Sequence, residues 1–327
     1  EIACKAINEY WGNPSSLHHL GSDASRQLRK ARKSVSKLMG VQEDSFFFTS
    51  SGTTANNTAI FGVYEKLKRQ GNRIVTTSIE HPSVAEPIKR LEDTGVEVIR
   101  LSPDEHGKVK EEDIYEAIND KTILVSCMAV NNEVGSVMPI AQMAKLTHKI
   151  SPDAIFHTDA VQGFLKVPFA AKTLGADLIS VSSHKVHGPK GTGALYISPR
   201  LKSFPALLLG GGQESGLRSG TEGTPAIFGF AAACVNNHIN LTLIHRNRYS
   251  AYGFGRDAKL PKIFLYRDRC LTCHCKVFSV NVKMKSDSLS HRLRRFLSVL
   301  LCKAYRRSQT YGIRSRGQLF RFREQGK

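Results

Sequence analysis

The chain has 327 residues, 41% of them hydrophobic, and a formal net charge of +19. That length buries a sizeable core, and no apolar run reaches the roughly 18 residues of a membrane-spanning helix, so no membrane span is expected. The charge is lopsided: residues 1–242 hold 26 Lys+Arg against 24 Asp+Glu, and residues 243–327 hold 21 against 4. The basic balance therefore belongs to the last quarter, and nucleic acid is not expected as the partner of the body. Seven cysteines, an odd number in a chain this long, do not suggest a disulfide framework, and the start, EIACKAINEYW, carries no secretory pattern. A reducing, cytoplasmic setting is expected.

Taken in chain order, the residues from 22 to 242 alternate between helical periodicity and short β-branched runs. Strands are expected at Phe46–Thr49, Arg73–Ser78, Val96–Leu101, Thr122–Met128, Ala154–Thr158, Asp177–Ser182 and Gly193–Ile197. Helices are expected at 22–39, 53–70, 82–94, 110–119, 139–149 and 225–240. Pro82, Pro139 and Pro225 stand near helix starts, where a missing N–H costs little. This order implies an α/β fold, a mostly parallel sheet covered by helices on both faces. Ligands of such sheets bind outside the carboxyl ends of the strands.

Polar residues gather at those ends. Thr53 follows FFFTSSG, His81 follows RIVTTSIE, and Asn132 follows TILVSCMAV. Asp159 and Gln162 follow AIFHT, and Ser182, His184 and Lys185 follow DLISV. Strand ends become polar wherever loops begin, yet five in succession point to a built site. The turn Ser50-Ser51-Gly52-Thr53 opens a helix, and free N–H groups there suit a phosphate; a plain N-cap looks the same. A lysine beside such a cradle suits a Schiff base to pyridoxal phosphate. Asp159 then suits the ring nitrogen, against the plainer reading of a helix cap. His81 offers a flat ring for stacking, against the plainer reading of a capping or core histidine.

The segments GNPSSLHHLG, FTSSGTTANN, EHPSV, NNEVGS, HTDAVQ, SSHKVHGPKGTGALY and GGGQESGLRSGT, in this order and spacing, resemble the cysteine desulfurases, class V members of the fold-type-I pyridoxal phosphate enzymes. The resemblance covers about residues 3–242. It implies that Lys185 carries the cofactor and moves protons, with His81 stacked on the ring and assisting. It implies that Asp159 pairs with the ring nitrogen and Gln162 with the phenolic oxygen. Gly52, Thr53, Ser182 and His184 would hold the phosphate. Asn132 would contact the ring oxygen or the substrate. Thr221 would reach the phosphate in a neighbouring subunit, which implies a homodimer with shared sites. The implied reaction removes sulfur from L-cysteine, giving L-alanine and an enzyme persulfide. That sulfur would pass to a protein acceptor or scaffold serving iron–sulfur assembly or tRNA thiolation.

The resemblance leaves parts of the family pattern unmatched. The family's first strand would precede residue 1, and neither its nucleophilic cysteine loop nor its carboxylate-binding arginine is found. Residues 1–242 are read as the cofactor-binding large domain. Residues 243–327 are read as a basic tail of unassigned fold, frame-altered or disordered, in place of the usual small domain. Within it, Cys270, Cys273 and His274 match the C-x-x-C-H haem-attachment pattern and Cys275 adds another soft ligand; the match is read as incidental because a single such pentapeptide is a weak signal and no export signal accompanies it. No metal is expected. Residues 286–307 have leucines at helical spacing between arginines, read as a helix packed on its own protein or as an unfolded segment. Cys4, Cys127 and Cys234 are expected to be buried. Two alternatives remain: another class V enzyme (selenocysteine lyase or aminotransferase), and a non-catalytic basic protein that binds nucleic acid.

Overall fold

The computed structural model describes residues 1–251 apart from residue 169, together with 263–265 and 278–280; side chains are described as far as residue 238. The fold below belongs to the unit made of Glu1–Lys259 and Phe264–Val280. Both tail patterns, at 270–275 and 286–307, lie outside the described residues. All seven expected strands of the body form. They are β1 (Phe46–Thr49), β2 (Arg73–Thr77), β3 (Glu97–Leu101), β4 (Thr122–Ser126), β5 (Ile155–Asp159), β6 (Leu178–Ser182) and β7 (Gly193–Ile197). Two three-residue strands, β8 (Ile263–Leu265) and β9 (Phe278–Val280), pair with each other.

The seven strands form one sheet in the order β1-β7-β6-β5-β4-β2-β3. The pairs β2–β3, β2–β4, β4–β5 and β5–β6 are parallel, and β7 runs antiparallel to both neighbours. Six strands therefore point the same way, and their carboxyl ends share one edge. Every residue of β4, β5 and β6 is buried, as a sheet covered on both faces requires. Strand β3 closes the outer edge and is only partly buried. There Arg73 on β2 and Glu97 on β3 sit directly opposite, and the Arg73 fork grips the carboxylate at 2.7 and 2.8 Å.

The helices are α1 (Ile2–Glu9), α2 (His19–Met39), α3 (Gly52–Leu67), α4 (Pro82–Glu92), α5 (Glu111–Ala117), α6 (Ile140–Ile150), α7 (Ala171–Leu174) and α8 (Thr224–Ala251). Helix α2 begins three residues earlier than its periodicity predicts, because His18 caps it, its Nδ1 accepting from the Gly21 N–H. Helix α8 runs on past the expected end at 240.

The period-two alternation of the strands sorts the core into two layers. Ile74, Leu124, Ile155, Leu178 and Leu195 pack with Ala59, Ile60, Val63, Val84 and Ile88 of α3 and α4. Their chain neighbours Val75, Val125, Phe156, Ile179 and Ala194 face the other way. They pack with residues of α2, α6 and α8, among them Val35, Met39, Met143 and Phe230. One-residue slips would exchange the two sets, so register is strongly specified.

A buried ion pair ties the far loop to this frame. Glu214, whose side chain is fully buried, receives both Arg32 guanidinium nitrogens of α2 at 2.7 and 2.8 Å. It also accepts the Phe48 backbone N–H at 2.7 Å. Arg32 in turn donates to the Phe46 carbonyl and lies over the Phe48 ring, 5.0 Å from its centroid. The segment GGGQESGLRSGT is thereby anchored on β1 and α2. Glu214→Ala strands the Arg32 charge and the Phe48 N–H, and removing one member of a buried pair costs about 3–5 kcal/mol. Urea denaturation of the full chain should show that loss; a change below about 1 kcal/mol, the size of a surface pair, would contradict the anchor.

Candidate active site

The turn between β1 and α3 is built for close approach. Thr49 Oγ1 donates to the Ser51 carbonyl at 2.8 Å. Ser51 caps α3, its Oγ accepting the Thr54 N–H at 3.0 Å. The N–H groups of Gly52 and Thr53, in the first turn, have no intrahelical carbonyl to bind. A Cβ on Gly52 would lie 3.0 Å from Val161 Cγ2 and 3.1 Å from Ser182 Cβ. A Cβ on Gly193 would lie 2.7 Å from both the Ser51 carbonyl carbon and the Val181 carbonyl oxygen. The two glycines let the helix start sit against the ends of β6 and β7. Ser182 Oγ meets His184 Nδ1 at 2.9 Å. Burial pushes the His184 imidazole down, and the charges of Lys185, Lys166 and Lys190 push it further. A helix N-terminus, two hydroxyls and three nearby ammonium groups make a strongly anion-attracting corner.

The floor of the edge is a hydrogen-bonded chain. Asp159 ends β5, buried, with Oδ1 accepting the Val161 N–H at 2.9 Å and Oδ2 accepting Asn56 Nδ2 at 2.8 Å. Asn56, on the inner face of α3, gives its second amide proton to Ser83 Oγ at 2.8 Å. Ser83 Oγ meets His81 Nδ1 at 2.8 Å, and the Ser83 N–H also donates to that nitrogen at 3.1 Å. A backbone donor obliges Nδ1 to accept, so His81 is the neutral tautomer with its proton on Nε2. Burial raises the Asp159 carboxyl; the Val161 N–H, Asn56 and the positive charge of Lys185 oppose the rise. Such a carboxyl calls for a cation. Beneath it, His157 is wholly buried between Ser126 Oγ (2.8 Å) and Ser180 Oγ (3.1 Å), and burial drives it down to about 3.

Lys185 lies in the short 3-10 turn Ser183–Val186 that follows β6. Gln162 is buried just past β5, and its Oε1 accepts Lys166 Nζ at 2.9 Å. A cation binds only the amide oxygen, so the orientation of Gln162 is set. Asn132 is half-buried and donates to Glu133 at 2.7 Å. Its neighbour Asn131, buried, shapes the turn: Oδ1 accepts the N–H groups of Glu133 and Val134, and Nδ2 donates to the Ile79 carbonyl.

Of the residues expected at the site, Gly52, Ser182, His184, Asp159, His81 and Lys185 are joined by packing, hydrogen bonds or mutual fields. Thr53 and Thr221 are exposed, and among the described residues no hydrogen bond joins Thr221 to the others. Asn56, Ser83 and Glu80 were not singled out in the sequence, although all lie in or beside quoted segments; a polar residue inside a helix carries no local sign of its distant partner. One cysteine expectation is corrected. Cys4 is exposed, because it falls on the outward side of α1, where Ala6 faces the core. Cys127 and Cys234 are buried as expected, and burial pushes both thiols up.

The family model described as "Aminotransferase class-V" matches residues 3–291, running past residue 242 into the basic tail. The chain is 42% identical over 227 residues to "Cysteine desulfurase IscS" of Dictyoglomus turgidum, covering 69% of this chain and 57% of that one. To the protein of the same name from Clostridium botulinum (strain Hall) it is 44% identical over 227 residues, covering 69% and 56%. Among solved structures, a "NIFS-LIKE PROTEIN" superposes with a TM-score of 0.72 at 38% identity, covering 75% of this chain and 67% of that one. A second, "SspA in complex with cysteine", gives 0.68 at 35%, covering 72% and 67%. The chain thus spans less than two thirds of the curated relatives' length. The fold-type-I architecture expected from the resemblance is the one found. With a family match over most of its length and this sheet order, the chain belongs to the aminotransferase class-V family.

Proposed function

We propose that this chain is the cofactor-binding part of a pyridoxal phosphate-dependent cysteine desulfurase, acting on L-cysteine. The observation that carries the reading is the pairing at the carboxyl edge: a buried Asp159 carboxyl in the field of Lys185, beside the α3 start. The donor set suits pyridoxal phosphate. Gly52 and Thr53 offer backbone N–H groups, Ser182 and His184 offer side chains, and surrounding lysines favour a dianion. Asn56 Oδ1, buried with no partner among the described residues, stands on the same residue that holds Asp159. The relatives bearing the desulfurase name support the substrate class.

When bound, pyridoxal phosphate supplies an aldehyde for amine condensation and a ring that draws electrons from the substrate. The chain's own groups do the rest. Lys185 is the attachment point and the proton carrier. Asp159, held ionised by a cation, keeps the ring nitrogen protonated. Gln162, its oxygen occupied by Lys166, presents amide protons to the phenolic oxygen. His81, neutral and carrying its proton on Nε2, stacks on the ring and assists proton transfer. Asn132 contacts the ring oxygen or the substrate. Thr221, exposed in this single chain, serves the phosphate of a second copy in a homodimer. Cys127 and Cys234, buried and with thiols pushed up, are poor thiolates, so neither is the sulfur acceptor. The reading places residues 1–242 as the large domain, in a cytoplasmic enzyme that passes sulfur to an acceptor protein for iron–sulfur assembly or tRNA thiolation.

Borohydride reduction of the cofactor-loaded full chain, followed by peptide mapping, is the direct test. Label is expected on Lys185 alone, and Lys185→Ala should lack the yellow absorbance while keeping its far-UV spectrum; label on another lysine overturns the assignment. Asp159→Asn removes the charge without the volume. It is expected to weaken cofactor retention on dialysis about tenfold or more, a loss of about 1.4 kcal/mol. Unchanged retention would show that the ring nitrogen finds its partner elsewhere. Product analysis with L-cysteine should give alanine and sulfide; a keto acid would favour an aminotransferase.

A further inference from the structure

The loop that carries His81 and the loop that carries Asn132 are joined by two crossings. Glu80 Oε1 accepts the Met128 N–H at 2.8 Å, and Asn131 Nδ2 reaches the Ile79 carbonyl at 3.3 Å. The same Glu80 oxygen also accepts Thr77 Oγ1, from the end of β2, at 2.7 Å. The other oxygen, Oε2, is buried and has no hydrogen-bond partner among the described residues. We propose that Glu80 is a positioning residue of this site, a buried carboxyl that clamps the His81 loop to the Asn132 loop and, as a neutral acid, adds no second buried negative charge beside Asp159.

The geometry favours the neutral acid. A carboxylic acid has one carbonyl oxygen, which accepts, and one hydroxyl. Here one oxygen takes both donors and the other takes none, which matches that division. An ionised group would bury an anionic oxygen without a donor, a far larger cost than an unpaired hydroxyl. It would also set a second negative charge near Asp159, on β5, and near Cys127, just past β4, the titratable groups that feel it. The Lys185 charge acts on Asp159 instead. Burial accordingly pushes Glu80 up to about 8, against the pull of Thr77 and the Met128 N–H, with Asp159 adding to the rise.

This has a thermodynamic sign. The folded chain keeps the Glu80 proton at pH values where the unfolded chain has released it. Stability therefore falls as pH rises from about 4.5 to about 8. Glu80→Gln keeps an acceptor oxygen for Thr77 and Met128 but cannot ionise. Glu80→Ala removes the clamp.

The test is melting of the full chain without cofactor, between about pH 5 and about pH 9, for wild type and Glu80→Gln. Wild type is expected to lose about 5 °C or more over that range relative to Glu80→Gln. Parallel curves would overturn the neutral-acid assignment. The second readout is retention of pyridoxal phosphate on dialysis. This arm alone rests on the proposed function. Glu80→Gln should retain cofactor within about twofold of wild type, while Glu80→Ala should lose about tenfold. Equal retention in all three would overturn the clamp, and a Glu80→Gln loss as large as that of Glu80→Ala would overturn the claim that a neutral acceptor suffices. If no cofactor binds to any protein but the melting curves diverge as stated, Glu80 keeps its role and the cofactor reading falls.

Discussion

The Asn56–Asp159 hydrogen bond is the joint on which the site turns. Asn56 belongs to α3, on one face of the sheet, and Asp159 ends the central strand β5. One amide satisfies a buried carboxylate oxygen and, with its other proton, reaches Ser83 at the start of α4. Ser83 in turn fixes the tautomer of His81. Three elements remote in sequence are thereby held in one hydrogen-bonded chain, in surroundings where each unpaired polar atom would be costly. Burial raises the carboxyl at the end of β5, and the Asn56 amide, the Val161 N–H and the Lys185 charge oppose that rise.

The frame that supports this chain is itself anchored away from the site. The Asp177 carboxylate, at the opposite end of β6, collects Arg200, His148 and the Phe156 N–H. Burial pushes that carboxyl up, but the Arg200 and His148 contacts outweigh it and the net shift is downward. Arg32 and Glu214 do the same for β1 and the loop before α8. Charge is thus used twice. At the anchors each buried carboxylate is fully paired within the chain. At the carboxyl edge Asp159 and Glu80 are left with unmet demand, a cation in one case and a retained proton in the other. Carboxyls perturbed in this way cluster at functional positions in proteins.

The helix start at Gly52 adds the complementary half. Its N–H groups, the Ser182 hydroxyl and the lysines about His184 draw negative charge, while Asp159 draws positive charge a short way along the same edge. A ligand with a phosphate at one end and a protonatable ring nitrogen at the other meets both demands at once. Either feature alone would suit many small molecules.

The seven strands, the order of helices between them and the edge at which polar groups collect were all legible in the sequence, because alternation with period two or 3.6 is a local property of the chain. The positions of Lys185, Asp159, His81 and the glycine turn at strand ends were legible too, because each follows a short β-branched or aromatic run. Tertiary structure alone decided the rest. Asn56 reads as an ordinary helical asparagine until α3 packs across β5. Glu80 reads as a solvated charge until the Met128 N–H closes over it. Cys4 reads as a small core residue until α1 turns it outward. Pairing across a sheet joins residues tens of positions apart, and burial is a property of the packed whole, so neither leaves a trace in the local pattern of residues.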